Sequence, residues 1–119
     1  MASTLSALGK NVALDAIGTT YGFASAHTGD PGATGTSNEV TGGTPPYARK
    51  AISWAAANAG SKALQATFPV FDIPPGTTVS YIGLWTLASG GTYGGCWDVT
   101  DEAFVGQGTY TLSSGSIAL

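Results

Sequence analysis

The sequence predicts a mainly β domain: an antiparallel β-sandwich or small barrel with one N-terminal helix and a long ordered loop. Three observations carry this. Segments of alternating apolar and polar residues recur at intervals of roughly ten residues through the second half of the chain. Turn-forming clusters separate them: Asn58-Ala59-Gly60-Ser61, Pro74-Pro75-Gly76-Thr77 and Ser89-Gly90-Gly91. Only one stretch, near the N-terminus, has helical spacing. The chain of 119 residues suits a single domain, 1–119, large enough to bury one core without a metal or a disulfide. Within it we expect a helix at 4–17, an extended loop at 28–46 and a β body at 47–112.

The helix rests on Leu5, Leu8, Val12 and Ala16, which recur on one face, with Leu14 and Ile17 widening it. Ser3 or Thr4 is placed to cap its start and Gly18 to end it. Gly9 and Asn11 weaken it. A helix this short is marginal alone and must dock its apolar face on a sheet or on a neighbouring subunit. A strand follows from Thr19 to His27, with Tyr21 and Phe23 on one face. The loop holds an Asp30-Pro31-Gly32 turn and a Gly42-Gly43-Thr44-Pro45-Pro46 break.

Tyr47 to Ala56 reads as the second strand. Ile52 and Trp54 share one face, and the small residues Ala51, Ser53 and Ala55 suggest close cover on the other. Lys62 to Phe68 is the third, with Leu64, Ala66 and Phe68 in register. Pro69 then shifts the apolar parity to Phe71 and Ile73, which signals a bulge or an edge. Thr78 to Leu87 is the strongest strand. Val79, Tyr81, Trp85 and Leu87 are assigned to one face and Ile82 and Leu84 to the other, so it is expected to be central and covered twice. A hairpin at Ser89-Gly90-Gly91 returns Thr92 to Val99. An acidic turn, Asp98 to Glu102, leads to Phe104 and Val105. The last strand is Gly108 to Leu112, and the tail carries Ile117 and Leu119.

Composition bounds the function. Charged residues make up 9% of the chain, against about 25% in an average soluble domain. A surface of small uncharged residues resists association weakly, which suits a subunit of an assembly. With four basic residues and a net charge of −3, the chain lacks the dense cationic face that nucleic acid requires. No apolar run is long enough to span a bilayer, and the N-terminus has no basic region of a secretory signal, so neither membrane nor nucleic acid is an expected partner. The single cysteine, Cys96, excludes an intrachain disulfide. With no basic neighbour it reads as a small buried hydrophobe.

Residue types that could carry chemistry are few. His27 is the only histidine. With Asp30 and Ser25 or Thr28 it supplies the types of a hydrolytic triad, but these cluster in one strand end and its turn, and His27 reads as a locally hydrogen-bonded turn residue. Asp98, Asp101 and Glu102 read as solvated turn carboxylates, and their spacing does not match an EF-hand loop. Gly90-Gly91 and Gly94-Gly95 lack the following helix and lysine of a phosphate cradle. No cofactor and no metal site is expected. Among the aromatics, Trp85 and Tyr81 belong to the core, whereas Trp97 is the best candidate for an exposed ring. Arg49 and Lys50 point to opposite faces of a strand, and one is placed to meet an acidic residue of a neighbour.

Four blocks carry a resemblance. They are Leu5 to Gly18; His27-Thr28-Gly29-Asp30-Pro31-Gly32 with Asn38-Glu39-Val40-Thr41-Gly42-Gly43 and Pro46-Tyr47-Ala48-Arg49-Lys50; Pro75-Gly76-Thr77-Thr78-Val79 leading to Gly83-Leu84-Trp85; and Gly108-Thr109-Tyr110-Thr111-Leu112. Together they resemble small virion structural proteins of tailed bacteriophages, of tail-fibre-like or head-decoration-like type. The resemblance implies a non-enzymatic virion subunit assembled in the host cytoplasm. The chain departs from a fibre shaft in being short, without repeats or a coiled coil.

The expected role is therefore capsid decoration, cementing the shell as a homo-oligomer, with a trimer as a candidate arrangement, bound to major capsid or tail proteins. A minor tail or tail-fibre-associated protein is the alternative, and a host-glycan binding module is the reading of another class. The candidate assembly contacts are Asp30, Glu39, Tyr47, Arg49, Lys50 and Trp97, with the loop and the helix reaching the partner.

Overall fold

The computed structural model describes residues 4–65 and 68–119. One helix, α1 (Ala7–Thr20), precedes eight strands: β1 (Phe23–His27), β2 (Lys50–Ala51), β3 (Ser61–Ala63), β4 (Val70–Ile73), β5 (Thr77–Trp85), β6 (Tyr93–Phe104), β7 (Gly108–Thr111) and β8 (Ser116–Ala118). All pairing is antiparallel. One sheet has the order β2-β1-β5-β6, and β3-β8 and β4-β7 form two-stranded sheets. The sheets do not close into a barrel, and the sandwich expectation holds. Ala24, Ala26, Ile82 and Leu84 from the four-stranded sheet meet Phe71, Ile73, Tyr110, Leu112, Leu64 and Ile52 across one core.

The helix begins and ends later than its spacing suggested. Ser6, not Ser3 or Thr4, is the N-cap, and its hydroxyl accepts from the Gly9 amide at 3.1 Å. Ser3 lies outside the described residues. Gly18 does not end the helix. It sits inside it, where the Lys62 side chain crosses so closely that a Cβ would collide. Thr19 and Thr20 continue the helix with their hydroxyls bonded to the carbonyls of Asp15 and Ala16. The strand predicted from Thr19 therefore starts only at Phe23.

Within the four-stranded sheet, β5 is central as expected, paired with β1 on one side and β6 on the other. Its two faces are not partitioned as period two implies. The register shifts between Val79 and Tyr81, and this places Val79 in the same core as Ile82 and Leu84. The hairpin after β5 is present, closed by the Thr86 amide on the Thr92 carbonyl at 3.1 Å. The acidic turn is not. β6 runs unbroken through Asp98, Asp101 and Glu102 because β5 offers a paired backbone as far as Phe104. Cys96 lies on this strand and is exposed rather than buried.

Tyr47 to Ala56 is not one strand. Lys50 and Ala51 pair with β1, then the chain crosses to the other layer, where Trp54 bridges to Leu64. Ile52 is buried and Trp54 half-buried, as the pattern required, but Ala51 and Ser53 are exposed, so no close layer covers them. The third strand is short, β3, and its predicted continuation through Ala66 falls outside the described residues. After Pro69 the parity shift marks a change of sheet, since β4 pairs with β7. The tail forms a further strand, β8, against β3, with Ile117 opposite Lys62.

The loop from 28 to 46 is not extended. It folds back over the outer face of the four-stranded sheet, burying Pro31 and Gly35, and then runs beside β1, where Val40 joins the core. The Val40 amide donates to the Ala26 carbonyl at 3.0 Å, and the Thr28 amide to the Asn38 carbonyl at 2.9 Å. Gly35, at φ +75°, lies flat on the Trp85–Tyr93 aromatic pair, where a Cβ would sit 2.8 Å from the Trp85 ring.

Candidate functional site

The densest polar arrangement is built where this loop meets the sheet. Strand alternation puts Ser25 and His27 on the outer face of β1, with Gly83 and Trp85 beside them on β5. His27 is fully buried. Its Nδ1 is 2.9 Å from the Ser37 carbonyl, which can only accept, so Nδ1 carries the proton. Its Nε2 then accepts from the Ser25 hydroxyl at 2.6 Å, and Ser25 Oγ accepts from the Trp85 indole N–H at 2.9 Å. Gly83 leaves the room, for a Cβ there would stand 2.5 Å from Ser25 Oγ and 3.0 Å from His27 Nε2. Burial pushes the His27 imidazole below its ordinary pKa, against the Ser37 carbonyl and the Glu39 charge.

A layer further out, Glu39, Tyr47 and Arg49 converge. Arg49 Nε donates to Glu39 Oε2 at 3.0 Å and Nη2 to Oε1 at 3.1 Å, a two-point fork. Its Nη1 reaches the carbonyls of Gly90 at 2.8 Å and Leu87 at 3.3 Å, and its guanidinium stacks 3.7 Å over the Trp85 ring. The Tyr47 hydroxyl donates to Glu39 Oε2 and accepts from the Ala26 amide, both at 2.9 Å. Its ring stacks on Phe71 at 6.3 Å. Burial raises the Glu39 carboxyl, but the hydrogen bonds from Arg49 and Tyr47 outweigh it and hold the pKa below the usual value. Burial, with Glu39 adding to it, drives the Tyr47 hydroxyl strongly upward, so it stays a donor. One fork thus ties the loop (Glu39), the strand approach (Tyr47, Arg49) and the β5–β6 hairpin (Leu87, Gly90) together.

The other sequence candidates lie apart from this cluster. Asp30 is exposed and makes a local turn: its Oδ1 accepts from the Gly32 amide at 2.8 Å, and its carbonyl accepts from Asn38 Nδ2 at 3.0 Å. Lys50 sits in β2 opposite Ala24. Trp97 is half-buried rather than a free platform. It packs on Trp54 with centroids 5.9 Å apart and donates from Nε1 to the Ser116 carbonyl at 3.0 Å. A shallow groove of about 480 Å³ runs beside it, past Asp98, Thr100, Ser113 and Ser114. Arg49 meets an acidic residue, as expected of it or Lys50, but that residue belongs to the same chain.

Sequence reasoning named Ser25 beside His27 but missed Ser37 and Trp85. The signal was available in part: Ser25 and His27 are two apart, which puts them on one face of any strand. Trp85 joins them only through the β1–β5 register, and Ser37 only through the fold-back of the loop.

Among the described residues no group of three or more His, Cys, Asp and Glu is gathered to hold a metal, and no helix is long and apolar enough to cross a membrane. The Ser25–His27 pair has the spacing of a nucleophile and its base, but it is sealed under the loop, and both ring nitrogens are already engaged. The arrangement fixes a loop.

The family profile described as Podophage GP4 fiber I protein gp80 matches residues 3–119, nearly end to end. The chain belongs to that family. It is a fibre-related structural protein of a tailed-phage virion. No curated protein and no solved structure matches it.

Proposed function

We propose that this chain is a non-catalytic subunit associated with the fibre of a tailed-phage particle, acting by assembly with copies of itself and with a neighbouring virion protein. The observation that carries this is the state of the loop, together with the family. The side chains best suited to chemistry, Ser25, His27, Glu39 and Arg49, are engaged with one another and with backbone, and they convert a long loop into a fixed outer layer of the body. A fixed loop presents a constant surface, which is what a repeating structural contact needs. The exposed positions of that layer, Asp30 among them, and the Lys50 edge are the contacts we assign to the neighbouring virion protein.

Capsid decoration is the other placement within the same reading. Immunogold labelling of intact particles separates them. Label on the fibres supports the proposal, label spread over the head supports cementing, and particles free of label overturn both. For a host-glycan module the candidate is the groove beside Trp97. Because the Trp97 indole edge is already bound to Ser116, the groove offers a ring face only at its rim.

A further inference from the structure

The hydrogen-bond chain under the loop suits a neutral imidazole and no other form. The Trp85 indole N–H donates to Ser25 Oγ at 2.9 Å, the Ser25 hydroxyl to His27 Nε2 at 2.6 Å, and His27 Nδ1 to the Ser37 carbonyl at 2.9 Å. Ser25 and His27 are both fully buried. A second ring proton, on Nε2, would point straight at the Ser25 hydrogen. Ser25 would have to turn its hydroxyl away. Its oxygen would then accept from both Nε2 and the Trp85 indole, and its hydrogen would have no acceptor in this cluster.

The surrounding charges do not relieve this. From the loop, Glu39 is the carboxylate that favours a charged ring, and Arg49 already holds both of its oxygens. Arg49 itself, from the strand approach, opposes a second cation, and Tyr47 is spent on Glu39. On β5 the register partner of His27 is Tyr81, a phenol that Asp98 holds above its ordinary pKa and therefore neutral. β6, one strand further out, brings Asp98 opposite Tyr81 and Cys96 opposite Gly83. Two cations would thus share one carboxylate, so a proton on His27 weakens two ties of the loop at once, Ser37 to His27 and Glu39 to Arg49. A third tie does not titrate: Gln107 accepts from the Thr44 amide at 3.1 Å and donates to the Pro45 carbonyl at 3.2 Å. Between the two groups of ties lies Gly42, at φ +86°.

We infer that His27 is an acid-sensitive latch: when its ring takes up a proton, residues 28–40 lift from the sheet as a flap hinged near Gly42, while Gln107 keeps 44–46 in place and the body stays folded. Lifting uncovers the Trp85–Tyr93 pair on which Gly35 lies. The flap carries Asp30, a contact we assign to a neighbouring virion protein, so acid would withdraw that contact. This consequence rests on the proposed role; the release itself does not. Burial makes the closed ring resist a proton, whereas in the lifted flap the ring meets water and titrates near 6.5. Each pH unit below that value raises the lifted population about tenfold until the closed ring also titrates. Glu39 stays ionised down to pH 5, because its carboxyl is held below the ordinary 4.5.

Amide exchange of the full chain, corrected for the intrinsic rate at each pH, tests the latch. The amides of Thr28, Ser37 and Val40 bond to the carbonyls of Asn38, Pro31 and Ala26. They should exchange about thirtyfold faster at pH 5 than at pH 6.5. Low urea should change their rates little, because a flap exposes little new surface. Tyr47, bonded to the Gly42 carbonyl on the clamped side of the hinge, should exchange more slowly than these three. Ile82 in the core should also be slower, with a rate that climbs steeply with urea. His27→Gln, which takes up no proton in this range, should show no acid acceleration at Val40. Three results overturn the inference. They are a corrected Val40 rate that is level from pH 7 to pH 5; loop amides that share the rate and urea slope of Ile82, so that the loop leaves only with the whole chain; and a folded His27→Gln chain that accelerates like the parent. If that variant does not fold, the first two results, read on the parent, decide. The two readings fail separately: particles lacking the chain sink the virion role and leave the latch, and a level Val40 rate does the reverse.

Discussion

Truncating Arg49 should unfasten the loop. In Arg49→Ala the Glu39 carboxylate loses both arms of its fork, at 3.0 and 3.1 Å, and keeps only the Tyr47 hydroxyl at 2.9 Å. The side chains of Arg49 and Glu39 are 10% and 22% exposed, so water replaces little of what is lost. Removing one partner of such a pair costs about 3–5 kcal/mol when burial is complete. The residual access of Glu39 and its remaining Tyr47 bond put this site near about 3 kcal/mol. Loss of the stack on Trp85 adds about 0.5–1 kcal/mol. The sum, about 3.5 kcal/mol, lowers the melting temperature by roughly 14 °C in a domain of this size. Arg49→Lys keeps the charge but not the two-point geometry, and should fall about midway. Calorimetry gives the total, and amide exchange localises it: Thr28 and Val40, whose amides tie the loop to itself and to β1, should lose protection before Ile82 in the core. An Arg49→Ala chain that melts within about 3 °C of the parent, with unchanged exchange at Val40, refutes the idea that this fork holds the loop.

Other consequences are equally direct. The folded chain binds a proton at His27 less readily than the unfolded one, whose imidazole titrates near 6.5. Stability should therefore decline as pH falls below that value and level off once the folded imidazole is protonated. Glu39 adds a second stage, because its carboxyl is held below the ordinary 4.5, so its stabilisation is present above that value and lost as pH falls through the folded one. Melting temperatures that rise from pH 7 to pH 5 contradict the His27 sign, and ones that rise as pH falls below 4.5 contradict the Glu39 sign. Gly83→Ala should cost about 2–3 kcal/mol by driving Ser25 Oγ off His27, read as a shifted denaturant midpoint with unchanged slope. A serine-directed phosphonate should leave the folded chain unlabelled at Ser25, because the hydroxyl is buried and engaged; labelling under native conditions would revive a hydrolase. Trp97→Ala removes the contact with Trp54 and the bond to Ser116, so β8 should gain exchange at Ile117 and Ala118 while β5 does not.

Much of this fold was legible because its signals are local. The hairpin at Ser89-Gly90-Gly91, the central position of β5 and the strand β7 follow from turn residues and alternation alone. What was not legible depends on where backbone partners stand. Asp98, Asp101 and Glu102 look like a turn by composition, yet β5 supplies a paired neighbour as far as Phe104, so the strand continues. Gly18 looks like a helix end, yet it lies within the helix, where its missing side chain leaves room for Lys62 to pass. The parity of β5 fails at Val79 because a register shift carries no residue signature there. Of the candidate site residues, Glu39, Tyr47 and Arg49 were singled out by type, and the structure brings these three together. Their convergence on one another, and the Ser25–His27–Trp85 chain beneath them, follow from long-range register that no local pattern encodes.

The loop and the helix exchange the roles that their sequences suggested. The stretch from the loop into β2 carries four of the chain's eleven charged residues, Asp30, Glu39, Arg49 and Lys50, and composition of that kind points outward to a partner. Instead Glu39 and Arg49 turn inward, because a carboxylate and a guanidinium that satisfy each other can be partly buried whereas either alone cannot. The helix carries a clean apolar stripe, and a stripe of that kind points inward to a core. Here Asn11 and Asp15 take the inward side, because the Gly60 and Ala57 amides and the Lys62 ammonium need acceptors there. Supplying them from the helix turns Leu8 and Val12 to solvent. Three large aliphatic side chains on solvent are a cost to the single chain, and that cost arises because those amides and the ammonium, left without acceptors, would cost more.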